Sequence, residues 1–340
     1  MPVARAVVCF GEVLVRLAAP DNELLLQSPT LKVSFGGAEA NVAVSLARFG
    51  HAARMLSVLP DNGLGHAAVD ELRRYGVDAS GVRFTPGRMG LYFLTPGAAQ
   101  RSSQVLYDRA DSAFSRGASA IDWDAALVGA GWLHVSGVTA AIGPDTAKAA
   151  VDAVRAARRL GLTVSMDCNY RATLWQAWDG DAPAILGEML SQADLVFGDH
   201  RDIALVLGAP FEIGGEADGL RRWAADMAFK AWPNLQRLAC TDRVQHTVNH
   251  HELAGFLISR DGAWRTESRP LNPIIDRIGG GDAFAAGVMH GLLTGMAPAD
   301  LLEFAVAAAV LKHATPGDFN LATLADVEAV RSSDSLDVRR

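Results

Sequence analysis

A chain of 340 residues that is half hydrophobic can bury a large core, and its length fits one large domain or two modest ones. Its net charge of −7 argues against a general nucleic-acid or acidic-membrane binder, because phosphate surfaces call for a basic face. No apolar run reaches the roughly 18 residues of a membrane span. At the N-terminus Val7, Val8, Cys9 and Phe10 give way at once to Gly11-Glu12, which is not a signal-peptide layout, so a cytoplasmic protein is expected.

In chain order, short apolar runs bounded by turn residues alternate with longer patterns of helical period. This predicts an α/β fold with a mainly parallel central sheet flanked by helices. Core strands are expected at Ala6–Phe10, Ala53–Leu59, Trp132–Ser136, Thr163–Asp167, Leu195–Phe197 and Arg237–Thr241. Helices are expected at Ala38–Arg48, Gly65–Tyr75, Pro144–Leu160, Pro183–Ser191, Asp218–Ala231, Asp282–Leu293, Pro298–His313 and Leu324–Val330. Polar residues collect at the strand ends: Gly11-Glu12, Ser136-Gly137, Asp167 to Arg171 and Gly198-Asp199. Open α/β sheets bind ligands outside the carboxyl ends of their strands.

Two stretches interrupt the alternation. Residues 12–35 and 88–115 hold strand-like segments with no helix between them, including Leu91–Thr95 and Gln104–Asp108, and read as a small inserted antiparallel sheet. The main domain is then 1–11, 36–87 and 116–331, with a polar tail at 332–340 and a surface loop at Gly214-Gly215-Glu216. Cys9, Cys168 and Cys240 are widely spaced in apolar runs without a C-x-x-C pair, and read as buried free thiols. His250 and His251 are adjacent on a strand-like run, so they point to opposite faces and make a poor metal pair.

The most informative stretch runs from Asp276 to Gly287. Gly279, Gly280 and Gly281 precede Asp282, and an apolar helical pattern (Phe284, Gly287, Val288, Gly291, Leu292) starts immediately. Glycines let backbone N–H groups turn onto an anion, and the helix dipole adds positive charge there. An acid beside such a cradle suits a base that takes a proton from a hydroxyl attacking a phosphoryl group. It equally suits an ordinary N-cap, and on the motif alone both readings stay open.

A second glycine site, Gly36-Gly37-Ala38-Glu39-Ala40-Asn41, also opens a helical run. The pair G-G-x-x-x-N and D-x-x-G-x-G-D resembles the signature pair of the ribokinase/PfkB carbohydrate kinases, and the resemblance extends over nearly the whole chain. Gly90-Leu91-Tyr92, Tyr107-Asp108-Arg109-Ala110-Asp111-Ser112-Ala113, Asp167 to Trp175 and Gly317-Asp318-Phe319-Asn320 resemble the 2-keto-3-deoxygluconate kinase branch.

The resemblance implies a ribokinase-like fold whose inserted sheet is a lid over the sugar and a dimer contact. It also implies an ATP- and Mg²⁺-dependent enzyme phosphorylating the terminal hydroxyl of 2-keto-3-deoxygluconate, with a monovalent cation left open. Carried over by position, Asp282 is the base and Gly279, Gly280 and Gly281 cradle the transferred phosphoryl group. Gly37, Ala38, Asn41, Tyr92, Tyr107, Arg109 and Arg171 face the sugar acid. Asn169, Asp199, Thr241, Arg243 and Asn320 join the glycines on the nucleotide, and Asp202 meets Mg²⁺ through water, with no direct protein ligand to the metal.

The chain also departs from the family. Arg277 stands where Thr or Ser is usual, and Gly280 where Ala is common. Asp199-His200-Arg201-Asp202 replaces N-x-x-E, and Thr241 to His246 lacks the glycine-containing phosphate turn. Alternatives are a kinase of the same fold for 2-keto-3-deoxygalactonate, fructose or another sugar, and a non-catalytic sugar-acid-binding regulator. A nicotinamide dehydrogenase has little support, because no G-x-G-x-x-G follows the first strand.

Overall fold

The computed structural model describes residues 5–209 and 217–332. The expected loop at 214–216 and all but the first residue of the expected tail lie outside these. Among the described residues there are fourteen strands: β1 Ala6–Phe10, β2 Leu14–Ala18, β3 Lys32–Gly36, β4 Ala53–Pro60, β5 Val82–Thr85, β6 Leu91–Thr95, β7 Gln104–Asp108, β8 Ala130–Ser136, β9 Thr163–Asp167, β10 Leu195–Phe197, β11 Arg237–Thr247, β12 His250–Ser259, β13 Ala263–Arg265 and β14 Arg269–Leu271.

The large sheet runs β13-β12-β11-β10-β9-β8-β1-β4-β5, with β14 also on β12. From β5 to β11 every neighbouring pair is parallel, and β12 to β14 add an antiparallel edge. From β1 the order goes outward to β4 on one side and to β8 on the other. This reversal opens a crevice at the carboxyl ends of the strands.

Strand periodicity explains the two cores. Val8 and Phe10 of β1 pack with Ala149 and Val154 of helix Pro144–Arg159 and Leu186 of helix Ala182–Ser191. Val7 and Cys9 face the other way, onto Val42 and Leu46 of helix Ala38–Arg48, Phe284 of helix Gly280–Thr294 and Phe304 of helix Pro298–His313. Burial on both faces is why these strands read as continuous apolar runs.

Each expected core strand and helix is present, with ends shifted by a residue or two except at β11. That strand continues to Thr247 and turns back as β12, so no phosphate turn follows Thr241. The exposed half of β11 is polar and carries no apolar signal. β5, β13 and β14, of 3 or 4 residues, were not among the expected strands, and neither was β12 as a whole, although His250 and His251 read as lying on a strand-like run.

The small sheet, β3-β2-β6-β7, corrects the antiparallel expectation, because β2 and β6 are parallel. The chain enters β6 only after passing through the main body, a route that local sequence does not reveal. A short helix, Ala113–Gly117, also overlaps the 88–115 stretch and is capped by the Ser112 side chain. Among the described residues no helix is long and apolar enough to cross a membrane.

Candidate active site

The two glycine sites meet at the crevice. Gly279 has φ 83°, and a Cβ on it would lie 2.0 Å from the Asp318 carbonyl oxygen, so both its conformation and its surroundings demand glycine. At Gly280 a Cβ would come within 2.5 Å of the His313 ring, whereas at Gly281 it would meet open space. Helix Gly280–Thr294 thus begins with bare backbone facing the crevice.

The first glycine pair serves close packing. A Cβ on Gly36 would lie 2.0 Å from the Asp318 carboxylate, and one on Gly37 (φ 148°) would lie 2.2 Å from the Glu12 carbonyl oxygen. These approaches bring helix Ala38–Arg48 against helix Gly280–Thr294, and Asn41 Nδ2 donates to Asp282 Oδ2 at 2.6 Å. Asn41 Oδ1 is buried with no partner among the described residues, which leaves an acceptor for a ligand hydroxyl.

Burial pushes the Asp282 carboxyl up to about 7, with Glu39 and Asp318 adding to it and the Asn41 hydrogen bond opposing it. Glu39 is itself buried, accepting from Ser136 N, Ser136 Oγ and Thr139 Oγ1. An acid with an affinity near neutrality can hold or release a proton at working pH, as a general base must.

The cleft around Asp282 has a volume of about 740 Å³. Gly37, Ala38, Asn41, Tyr92, Tyr107, Arg109, Asn169, Arg171, Asp199, Asp202, Arg243, Gly279, Gly281 and Asp282 all line it. Gly280, Thr241 and Asn320 do not. Gly280 backs onto His313, Thr241 pairs with Gly255 inside the sheet, and buried Asn320 accepts from the Ala322 amide.

The lid residues are tied down more firmly than their motifs reveal. Arg109 Nε donates to Glu12 Oε2 at 2.7 Å, and Ser112 Oγ donates to the other Glu12 oxygen at 2.5 Å. Asp108 and Asp111, the neighbours of Arg109 in sequence, pair instead with Arg88 and Arg116. Gly90 is needed here, because a Cβ would lie 2.4 Å from Glu12 Oε1. Tyr92 Oη donates to Asp318 at 2.7 Å, and the Arg16 guanidinium bridges Asp318 at 3.0 Å and Asp276 at 2.6 Å. Burial and the Asp318 charge hold the Tyr92 phenol far above its ordinary range.

At the strand ends, Asn169 has φ 39° and its amide donates to Asp167 Oδ1 at 3.0 Å, an Asx turn that aims the loop into the cleft. Arg171 is exposed, and its one recorded hydrogen bond is to the Tyr170 carbonyl at 2.9 Å. Asp199 and Asp202 form a capping box on helix His200–Leu207, and the Arg201 guanidinium takes up Asp199. Burial pushes Asp167 up to about 8, with Asp282 and Asp202 adding to it, and pushes Asp202 up to about 6.

Residues 4–322 match the pfkB family carbohydrate kinases. The chain belongs to that family. It is 31% identical to a 2-dehydro-3-deoxygalactonokinase of Haloferax volcanii, over 95% of each chain. It is 27% identical to a 2-dehydro-3-deoxygluconokinase of Bacillus subtilis, over 92% of this chain and 91% of that one. The crystal structure of 2-dehydro-3-deoxygluconokinase from Thermotoga maritima superposes with a TM-score of 0.90 at 34% identity, covering 97% of this chain and 98% of that one. The enzyme is a phosphotransferase acting on a sugar.

Sequence reasoning about this kinase missed Asp318, Asp167, Glu12 and Arg277. Three of them line the cleft, and Glu12 anchors Arg109. Asp318 lies in the Gly317-Asp318-Phe319-Asn320 segment, in which the resemblance points to Asn320. The glycines that crowd Asp318 and Glu12 were the available signal, since each marks a position where another residue's polar group passes close by.

Proposed function

We propose that this kinase phosphorylates the terminal hydroxyl of 2-keto-3-deoxygluconate, using ATP. The observation that carries the reading is Asp282. It is held at 2.6 Å by Asn41 from the opposite glycine helix, poised near neutrality, and set in one cleft with Arg109, Tyr92 and Tyr107. Asp282 takes the proton of the attacking hydroxyl, and the bare amides at Gly279 and Gly281 face the charge that develops on the transferred phosphoryl group. Arg109, fixed through Nε by Glu12, keeps its terminal nitrogens for a carboxylate, whose two oxygens match a guanidinium fork. Gly37, Ala38 and Asn41 hold the sugar, and Arg171 adds charge at the strand ends.

Asn169, Asp199 and Arg243 face the nucleotide. Thr241 and Asn320 support that wall from behind. Among the described residues no group of three acids, histidines or cysteines is arranged to hold a metal directly. Burial is the main cause that raises Asp202 and Asp167, and once deprotonated beside a cation they would fit a hydrated Mg²⁺ as outer acceptors. Mg²⁺ supplies charge neutralisation across the terminal phosphates when bound.

The lid, residues 12–35 and 88–115, excludes water over the sugar. Val33 and Leu106, which the strand register places on one face of the sheet, are both exposed and favour a homodimer through that sheet. Three buried, free cysteines favour a reducing compartment, the cytoplasm.

ADP release with ATP and Mg²⁺ tests the reading, with 2-keto-3-deoxygluconate, its galacto epimer, gluconate, fructose and ribose offered in parallel. Turnover confined to the keto-deoxy acids is expected, with the gluco epimer preferred. Preference for fructose or ribose would overturn the acid-recognition argument. Binding of the acid with no ADP release would put the non-catalytic reading in its place.

A further inference from the structure

Arg277 lines the cleft beside Gly279 and Gly281, and no ion pair or side-chain hydrogen bond is recorded for it among the described residues. Arg243 lines the same wall. Its Nε is buried without a partner, and its one recorded contact is a terminal nitrogen 3.5 Å from His313 Nε2.

That contact carries no counter-charge. His313 Nδ1 lies 2.7 Å from the Ala309 carbonyl and so must donate to it, which leaves Nε2 as a lone-pair acceptor for Arg243. Burial pushes His313 down to about 4, so the ring is neutral, and burial with the Arg277 charge pushes Arg243 down to about 10.

The nearby carboxylates are committed elsewhere. Asp242 pairs with Arg221, Asp199 with Arg201, Asp276 with Arg16, and Asp318 with Arg16 and Tyr92. Asp167, Asp202 and Asp282 line the same cleft, but none of them forms an ion pair with either arginine, so among the described residues two guanidinium groups share one wall without a paired carboxylate. That arrangement is costly unless a ligand supplies the anion.

Two departures of the glycine turn join in this arrangement. A Cβ at Gly280 would lie 2.5 Å from His313 Cε1 and push away the ring that orients Arg243. Glycine at 280 and arginine at 277 thus belong to one construction.

We propose that Arg277 is a catalytic residue which, with Arg243, clamps the terminal phosphate of a nucleoside triphosphate and follows it into transfer. The inference rests on the kinase reading and extends it. A guanidinium fork at that place holds two phosphoryl oxygens and stabilises their charge as the bond to the leaving oxygen lengthens.

The test is calorimetric binding of ADP and of a non-hydrolysable ATP analogue to the full chain, wild type and Arg277→Ala, with turnover in parallel. Charge-assisted hydrogen bonds of this kind make the expected loss of analogue affinity roughly 10- to 100-fold. ADP affinity and the KM for the sugar acid stay unchanged. The kcat falls roughly 100-fold or more, as for loss of one donor to a transition-state oxyanion. Arg277 has no partner to strand, so the thermal midpoint should hold, and Gly280→Ala gives a second route by displacing His313 and, with it, Arg243.

An equal loss for ADP and analogue, a loss for the sugar acid alone, or no loss at all overturns the inference. If wild type itself neither binds the analogue nor turns over, the kinase reading has failed. If wild type does both and Arg277→Ala does them equally well, only the clamp has failed.

Discussion

On the lid side of the cleft each buried cation has a carboxylate of its own. Arg109 is held by Glu12, and Arg16 is divided between Asp276 and Asp318. On the facing wall Arg243 and Arg277 have none, while the acids Asp167, Asp202 and Asp282 sit close enough to raise one another or be raised by burial. The lid wall is electrically closed and therefore rigid: its groups are satisfied before any ligand arrives. The facing wall is incomplete, and what it lacks is an anion carried by a cation, as a metal-bound polyphosphate would be. On the proposed reading, a pre-formed pocket for the acceptor beside an unsatisfied one for the donor suits a reaction in which the donor brings in the charged phosphoryl group.

The sharpest way to break this comparison is at the junction of the two walls. Asp282→Asn keeps the Asn41 contact in reach but removes the proton acceptor, and kcat should fall roughly 10²- to 10⁴-fold while sugar binding is kept. In the wild type, kcat/KM should rise with pH through about 7, because Asp282 works only once deprotonated. Near-normal turnover in Asp282→Asn would remove the base from the mechanism.

On the lid wall, Arg109→Leu should cost the keto-acid roughly 10- to 100-fold in kcat/KM and leave a neutral sugar untouched. The same change strands Glu12 in the interior, where losing a partner costs about 3–5 kcal/mol. Arg109→Leu with Glu12→Gln separates the two effects, since the double variant should regain stability without regaining acid preference. Parallel losses on acid and neutral substrates would show that Arg109 only braces the lid.

How much of this was visible in the sequence depended on what kind of signal each part leaves. β1, β8 and β9 are buried on both faces and announced themselves as apolar runs. The glycine turns were legible for the same local reason. The orientation of β2 against β6 depends on the route of the chain between them, and the continuation of β11 past Thr241 is polar and half exposed, so neither left a local pattern. Most site residues read from motifs line the cleft, with Gly280, Thr241 and Asn320 behind it, whereas Glu12 and Asp318 bond to residues 97 and 226 positions away and have no short spacing to betray them.

Gly36→Ala tests whether the lid wall is as closed as its hydrogen bonds imply. The new methyl would enter within 2.0 Å of Asp318 Oδ2, a group fixed by both Arg16 and Tyr92, so nothing nearby can yield cheaply. A cost of about 1–3 kcal/mol is expected from such overpacking, read as a lower midpoint in urea. An unchanged midpoint would mean that the Asp318 network is loose and that the two walls differ less than their charges do.

The smallest effect is a pH dependence on the facing wall. Unfolded, Asp167 releases its proton near 3.8, whereas in the fold it keeps it up to about 8. Between those values the folded state binds more protons, so the stability this group contributes is present in full below 3.8 and is lost as pH rises through 8. Asp202 and Asp282, raised to about 6 and about 7, act in the same direction. Asp167→Asn keeps an oxygen for the Asn169 amide at 3.0 Å and removes one of the three ionisations. Its thermal midpoint should therefore match wild type near pH 4 and exceed it at pH 8. If the two midpoints run parallel across that range, ionising Asp167 in its buried place costs the fold nothing, and the donor side is no less complete than the lid.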